Sequence, residues 1–321
     1  MKAARVTSAL FGPVPSRRLG RSLGIDVIPP KTCTLDCLYC ESGPTTHLSL
    51  RRDAFIPPEA VLAQLEAFLE RHPASVDALT FSSAGEPTLY EPLGDLIPAI
   101  KKRFPSLPLV VLTNGTLLWD PAVRHALLQA DRVVPSLDAA HPEVFARLNR
   151  PHPRLSLDQI LEGLEIFRRE YAGAYHLEIL LVSGINDAPA HLRDLAALVR
   201  RIGPDRVELN TVVRPPAVSG IEGLSAKRMA EAAAFFSSCP VDVLGAYEAK
   251  GGQSPEEALE ERLVALVRRR PCSAEEMADA LGVSTEAVTR ALERLVGKGR
   301  VRLQAFQGRQ FVVPAQDENM T

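Results

Sequence analysis

Cys33, Cys37 and Cys40 stand in the stretch K-T-C-T-L-D-C-L-Y-C-E, from Lys31 to Glu41. Thiolates this close in sequence can grip one metal centre, and three are one short of the four that usually close an iron–sulfur cluster. A missing protein ligand leaves a coordination position for a small molecule, by the logic that gives catalytic zinc its open site. Two other chemistries compete for the same thiols. A structural Cys3His zinc site would take His47 as fourth ligand, although zinc motifs usually add a distant second pair of ligands. Disulfides need an oxidising compartment, and five cysteines is an odd number for pairing.

The chain around this stretch has 321 residues, 46% of them hydrophobic, and a formal net charge of −2. It can bury a large core in one or two domains. A near-neutral charge gives no global sign of nucleic acid or membrane as partner. The opening M-K-A-A-R-V-T-S-A-L-F lacks the form of a secretory signal. No apolar run approaches a membrane span. A cytoplasmic protein with no membrane partner is expected, in a compartment where thiols stay reduced.

The elements that must position the cysteines alternate. Phe11 to Gly24, rich in Gly, Pro and Arg, reads as a loop, and Leu23 to Ile28 as a short strand closed by Pro29-Pro30. After the cysteine loop, Pro57-Pro58 opens a helix to about Arg71 with Val61, Leu62, Leu65, Phe68 and Leu69 on one face. Strands follow at Val76–Ser82, Leu107–Thr113, Arg132–Ser136, His176–Val182 and Val207–Val213, with Val241–Leu244 as a last apolar segment. Helices fall between them at Pro92–Arg103, after Asp120-Pro121, at Ser156–Tyr171, up to Ile202, and from Ser225 to Phe236. About six β-then-α units predict an α/β fold with a parallel sheet, as a barrel or part of one. No Gly-x-Gly-x-x-Gly follows the first strand, which weakens a doubly wound alternative.

Ligands of such folds sit at the carboxyl ends of the strands. The unusual polar residues of this sequence fall there: the cysteine loop, then Gly85-Glu86-Pro87, Asn114-Gly115, Ser136 with Asp138, Ser183 with Asn186, and Asn210 with Arg214. Any one of these could be only a cap or a turn. As a series they ring the place where a metal centre would lie.

The spacing Cys-x3-Cys-x2-Cys, with Tyr39 before the last cysteine, resembles the radical S-adenosylmethionine (SAM) superfamily. That resemblance covers about Gly20 to Leu244 and implies a partial (β/α)6 TIM-like barrel. It implies that Cys33, Cys37 and Cys40 hold three irons of a [4Fe–4S] cluster whose fourth iron is chelated by SAM. It further implies that Gly85 and Glu86 take up the SAM ammonium, with Ala84 where a second glycine is common. Asn114 stands on the same rim. Ser136 and Asp138 match a position that contacts the SAM carboxylate or ribose. Asn186 and Asn210 match later positions toward ribose and adenine, and Tyr39 the aromatic near adenine. A flavodoxin or ferredoxin is the implied electron donor.

A narrower resemblance lies in G-P-V-P-S-R-R-L-G-R-S-L-G-I-D, which is similar to a group of iron–sulfur oxidoreductase-like proteins related to tRNA 4-demethylwyosine synthases. Arg17 and Arg18 in this stretch, with Arg214, become candidate contacts to an anionic substrate group. Those tRNA enzymes carry a second cluster, for which Cys239 and Cys272 are too few, and no lysine stands out for their Schiff-base chemistry, Lys31 being nearest the cysteines.

Residues 1–248 are therefore expected to form the radical SAM core, 249–253 a Gly-rich linker, and 254–321 a small winged helix-turn-helix domain. Ser254–Glu257 and Ser273–Glu276 read as capping boxes, Ser284 caps a third helix, and Val301–Phe306 with Gln310–Val313 form a hairpin around Gln307-Gly308. The third helix offers Thr285, Thr289, Arg290 and Arg294 but also Glu286 and Glu293, so protein or peptide docking competes with nucleic acid as its role. The expected function is a SAM-cleaving enzyme acting on RNA, peptide or another substrate. The alternative is an iron–sulfur redox sensor that regulates DNA through the winged helix.

Overall fold

The computed structural model describes residues 8–16, 18–72, 76–244 and 259–315. Arg17, the 249–253 linker and the capping box at Ser254–Glu257 lie outside the described residues.

An eight-stranded sheet forms the core. Its strands in spatial order are β1 (Leu10–Ser16), β2 (Gly20–Ile25), β5 (Ala78–Phe81), β6 (Leu109–Thr113), β7 (Arg132–Pro135), β8 (Ala174–Leu181), β9 (Arg206–Thr211) and β10 (Val241–Val243). Every pairing from β2 through β10 is parallel. Helices α1 (Pro58–Arg71), α2 (Leu93–Arg103), α3 (Pro121–Leu127), α4 (Pro142–Asn149), α5 (Leu157–Glu170), α6 (Pro189–Ile202) and α7 (Ala226–Ala233) make the crossovers. This is a partial TIM-like barrel. Of the stripe expected on α1, Val61, Leu62 and Leu65 are buried while Phe68 and Leu69 are half-buried against the same core, and the stripe on α5 (Ile160, Leu161, Leu164, Phe167) is buried in it. Among the described residues no helix is long and apolar enough to cross a membrane.

Two expectations are corrected. The stretch from Phe11 to Gly24 is no loop: β1 and β2 form an antiparallel hairpin through it. Proline lacks a backbone donor, so it punctuates most sequences, but an edge strand has one side without ladder bonds and tolerates it. Pro13 falls in the register irregularity between Phe11 and Val14, and β1 is the edge of the sheet. The second omission is α4. Its signals were present, with Pro142 at the first turn and Phe145 and Leu148 on one face, yet it is only two turns long.

The cysteine loop itself contains β3 (Thr32–Cys33) and β4 (His47–Leu48), paired in parallel. Beyond the core, α8 (Leu259–Val267), α9 (Ala274–Leu281), α10 (Thr285–Gly297) and the hairpin of β11 (Val301–Phe306) and β12 (Arg309–Pro314) pack round a second apolar cluster. The Ser273–Glu276 capping box is present, and Gly282 ends α9 in the left-handed conformation.

This C-terminal unit is seated on the barrel. Val14 packs against its core. At the hairpin tip, Phe306 packs with Leu148, Leu180, Val182 and Val212, and Gln307 Nε2 donates to the Val212 carbonyl at 3.4 Å. Arg214, only 3% exposed, reaches from the end of β9 to Glu276 Oε1 at 2.6 Å and to both Glu41 oxygens at 3.3 Å.

Gly163 on α5 shows how closely the layers meet. A Cβ there would lie 2.4 Å from the Trp119 amide nitrogen and 2.6 Å from the Leu118 carbonyl carbon, both backbone atoms. Helix propensity alone favours Gly163→Ala by ~1 kcal/mol. We expect the clash to win and the variant to lose about 1–3 kcal/mol in urea unfolding; a gain would show that the α5 contact is looser than described.

Candidate active site

The cysteine loop is held from two sides. On one side it runs against the end of β5. Lys31 N donates to the Ala84 carbonyl at 2.7 Å and Glu86 N to the Thr32 carbonyl at 3.1 Å. A Cβ on Gly85 would lie 2.1 Å from the Thr32 carbonyl oxygen, so only glycine fits. On the other side, the end of α4 reads the loop backbone. Asp36 N and Leu38 N donate to the carbonyls of Asn149 and Leu148 at 3.0 Å each, and His152 N donates to the Thr34 carbonyl at 3.0 Å.

Polar side chains from several strand ends converge on the loop. Glu86, buried, accepts at Oε1 from Thr88 N (3.0 Å), Thr88 Oγ1 (2.7 Å) and Thr113 Oγ1 (2.6 Å), and at Oε2 from Asn114 N (2.8 Å). Asn114 Nδ2 donates to Thr34 Oγ1 at 2.7 Å and approaches Cys33 Sγ at 3.5 Å. Asp138, also buried, accepts from the Tyr39 hydroxyl, from Asn149 Nδ2 at 2.9 Å and from Leu180 N at 2.9 Å. Asn149 Nδ2 approaches Cys37 Sγ at 3.5 Å, while its buried Oδ1 has no hydrogen-bond partner.

The predicted residues thus separate into groups. Ser136, Asn114, Asp138 and Tyr39 line a small space of about 20 Å³ together with Asn149, room for about one water molecule. Arg18, Tyr39, Cys40, Asn210 and Arg214 line a larger cavity of about 300 Å³ inside the barrel. Asn186 faces neither. It is fully buried, with Oδ1 accepting from Val182 N at 2.7 Å and Nδ2 donating to the carbonyls of Asp138 and Leu180 at 2.9 and 2.8 Å. Arg18 reaches across the barrel to Glu178 at 2.5 Å and to Glu208, which also takes a 2.7 Å hydrogen bond with His176 Nδ1.

Asn149, Glu41, Glu178 and Glu276 join the site although nothing in the sequence marked them for it. Asn149 is the last residue of the omitted α4, and Arg150 behind it is left-handed at φ 43°. That chain reversal turns Asn149 toward the cysteines, and no local pattern announces it.

Electrostatics disfavour free thiolates here. Burial, then the Glu86 carboxylate, push the Cys33 thiol up to about 12. Burial and the neighbouring thiols and Asp138 raise Cys37, and burial raises Cys40 against the opposing charge of Lys31. Burial also raises Glu86 and Asp138. Such a site stabilises cations: a metal centre would take the thiolates, release their protons and reverse the local charge.

Residues 27–198 match the Radical SAM superfamily. This chain belongs to that superfamily. The UPF0026 protein MJ1312 of Methanocaldococcus jannaschii is 30% identical over 97% of this chain and 98% of its own length. A Brachyspira hyodysenteriae protein named GTPase Obg is 34% identical over 96% of this chain, but the chain spans only 45% of that protein. A structure of TYW1 with a lysine–pyruvate adduct bound aligns over 70% of this chain and 75% of its own, at 19% identity and a TM-score of 0.52, which shows the shared fold.

Radical SAM enzymes use a [4Fe–4S] cluster and SAM, and the residues fit that pair. Three thiols are available, two of them with amide donors at the sulfur, an arrangement that tunes iron–sulfur centres. A single zinc ion fits less well. His47 is exposed, and no three His, Cys, Asp or Glu side chains among the described residues gather closely enough for one ion. A cluster differs in placing each thiolate on its own iron.

Asn149→Ala removes the donor to Cys37 and the tie to Asp138. Loss of such a supporting contact typically costs about 10–100-fold in metal affinity. We expect iron to be stripped by EDTA from the reconstituted variant faster by that order, with little change in overall helix content; unchanged stripping would reduce Asn149 to a packing residue.

Proposed function

We propose that this protein cleaves SAM reductively on a [4Fe–4S] cluster bound by Cys33, Cys37 and Cys40, and uses the product to abstract hydrogen from a substrate in the barrel. A cluster held by these three cysteines would supply the single electron for cleavage of SAM to methionine and a 5′-deoxyadenosyl radical, and a flavodoxin or ferredoxin would restore that electron. The observation that carries the reading is that the third cysteine, Cys40, lines the large cavity while Cys33 and Cys37 are braced by Asn114 and Asn149.

The chain supplies orientation and exclusion of water. Glu86 already accepts four hydrogen bonds, close to a carboxylate's capacity. Its first role in this reading is to lock β5 to β6, so that the Gly85 backbone presents itself to SAM, with its negative charge favouring the SAM ammonium. Asn114, Ser136 and Asp138 form the rim for the methionine and ribose portions, and Tyr39 and Asn210 border the adenine side. Asn186 acts one step removed, by holding the Asp138 backbone. Arg18 closes the barrel through Glu178 and Glu208. Burial opposes its charge, but the two carboxylates outweigh that and raise its pKa. This role fits a structural plug better than a substrate contact.

The α8–β12 unit supports a winged helix-turn-helix reading of 254–321. Its hairpin tip is committed to the barrel through Phe306 and Gln307. That favours the enzyme over the redox-sensing DNA regulator, whose wing would have to be free for DNA. The enzyme reading also implies the cytoplasm, where the thiols stay reduced.

The test uses anaerobically reconstituted protein reduced with dithionite. We expect an EPR signal that shifts with SAM and formation of 5′-deoxyadenosine, both abolished in Cys37→Ser. Glu86→Ala strands the donors of Thr88, Thr113 and Asn114, so 5′-deoxyadenosine formation should fall at least about tenfold. Zinc in place of iron, or a cluster indifferent to SAM, would sink the proposal.

A further inference from the structure

The large cavity is not enclosed by the barrel alone. Arg269 and Arg270, which follow α8, form part of its wall together with Cys40 and Tyr39. Arg269 is held there firmly. Arg269 pairs with Asp26, which is wholly buried, and its guanidinium stacks 5.1 Å above the Phe11 ring. The Arg269 carbonyl accepts from Ser42 Oγ at 2.8 Å, two residues past Cys40.

Four arginines line this cavity: Arg18, Arg214, Arg269 and Arg270. Three are spent on carboxylates. Arg18 holds Glu178 and Glu208, Arg269 holds Asp26, and Arg214 holds Glu41 and Glu276. The Arg270 guanidinium has no ion pair or hydrogen bond among the described residues. Arg214 keeps one donor unmet as well: its Nε is buried and has no hydrogen-bond partner. Both arginines line the same cavity, and both charges oppose the burial that raises the Cys272 thiol. Buried donors without acceptors are rare and costly, and an arginine without a partner inside a cavity is a natural anion reader.

We propose that the C-terminal unit completes the active site, and that Arg270 with Arg214 Nε forms a subsite for a carboxylate of the substrate. The inference rests on the SAM-cleaving reading, in which the substrate occupies this cavity. Charge decides the class of substrate. The local group of Arg214, Arg270, Glu41 and Glu276 sums to zero, two cations against two anions. One added carboxylate leaves a single negative charge, which unspent donors can hold. A triphosphate would add three or four negative charges beside Glu41 and Glu276, with no further free arginine among the described residues of the wall, and is disfavoured. The enclosure also favours a small molecule or a flexible chain end over a folded macromolecule.

The test is calorimetric titration of succinate, and separately of inorganic tripolyphosphate, into the full-length reconstituted protein, with and without saturating SAM. It reads binding alone, so it stands apart from any failure to form 5′-deoxyadenosine. We expect one succinate site, no tripolyphosphate site, and a loss of at least about tenfold in succinate affinity in Arg270→Gln, partly restored in Arg270→Lys. The Arg270 guanidinium makes no ion pair or hydrogen bond among the described residues, and its backbone bonds to Leu266 and Cys272 survive the substitution, so the variant should melt with the native protein. Arg214→Lys removes the Nε donor and should also weaken succinate. The proposal is overturned if succinate does not bind, if Arg270→Gln binds it as well as the native protein, or if tripolyphosphate binds more tightly. It is also overturned if saturating SAM abolishes succinate binding, which would assign the arginines to the carboxylate of SAM itself.

Discussion

The contact between the Thr32 carbonyl and Gly85 governs this molecule. Two backbones meet with no space for a Cβ, and flanking hydrogen bonds from Lys31 N and Glu86 N fasten them. The cysteine loop is thereby fixed to the end of β5 by main-chain atoms, which have few alternative conformations. Glu86 then extends the lock through Thr113 and Asn114 to β6. Three cysteines on a mobile loop would pay ordering entropy each time they gathered round a metal. Here that cost is met in folding.

The carboxylates of the barrel divide by depth and partner. Glu86 and Asp138 accept only neutral donors, and burial leaves each raised above the usual carboxylate range. Glu208 is also buried, yet the hydrogen bond to His176 and the charge of Arg18 outweigh desolvation and hold it below that range. The contrast follows function in the proposed reading. Glu86 and Asp138, beside the cysteines, await a cation from outside the chain, whereas Glu208 is met by the cation of Arg18.

The C-terminal unit changes how the barrel should be pictured. A partial barrel leaves its lumen open, and this chain spends Arg214, Arg269, Phe306 and Gln307 on covering it. A buried arginine between two carboxylates is an expensive way to gain stability, because desolvation offsets much of the attraction. Such a pair is better suited to register than to strength: it sets where Glu41, next to Cys40, lies relative to Glu276 at the start of α9.

Much of this was legible in the sequence. The Cys-x3-Cys-x2-Cys spacing, the α/β alternation and the caps at Asp120, Ser225, Ser273 and Ser284 are local signals, and each appears where expected. Local signals arise because turn, cap and periodicity depend on neighbours within a few residues. The β1–β2 hairpin escaped because an edge strand's tolerance of proline is known only once the sheet has an edge. Asn149, Glu178 and Glu276 escaped because Cys37, Arg18 and Arg214, which bring them into the site, are distant in the chain. The fate of the strand-end residues was likewise settled by packing: Asn186 is sealed inside, Arg18 is neutralised, and Arg214 is divided between two carboxylates. Chain chemistry determined which residues could serve a metal and a cofactor, and only the tertiary structure decided which of them remain unpaired, because a polar group's free valence depends on everything folded against it.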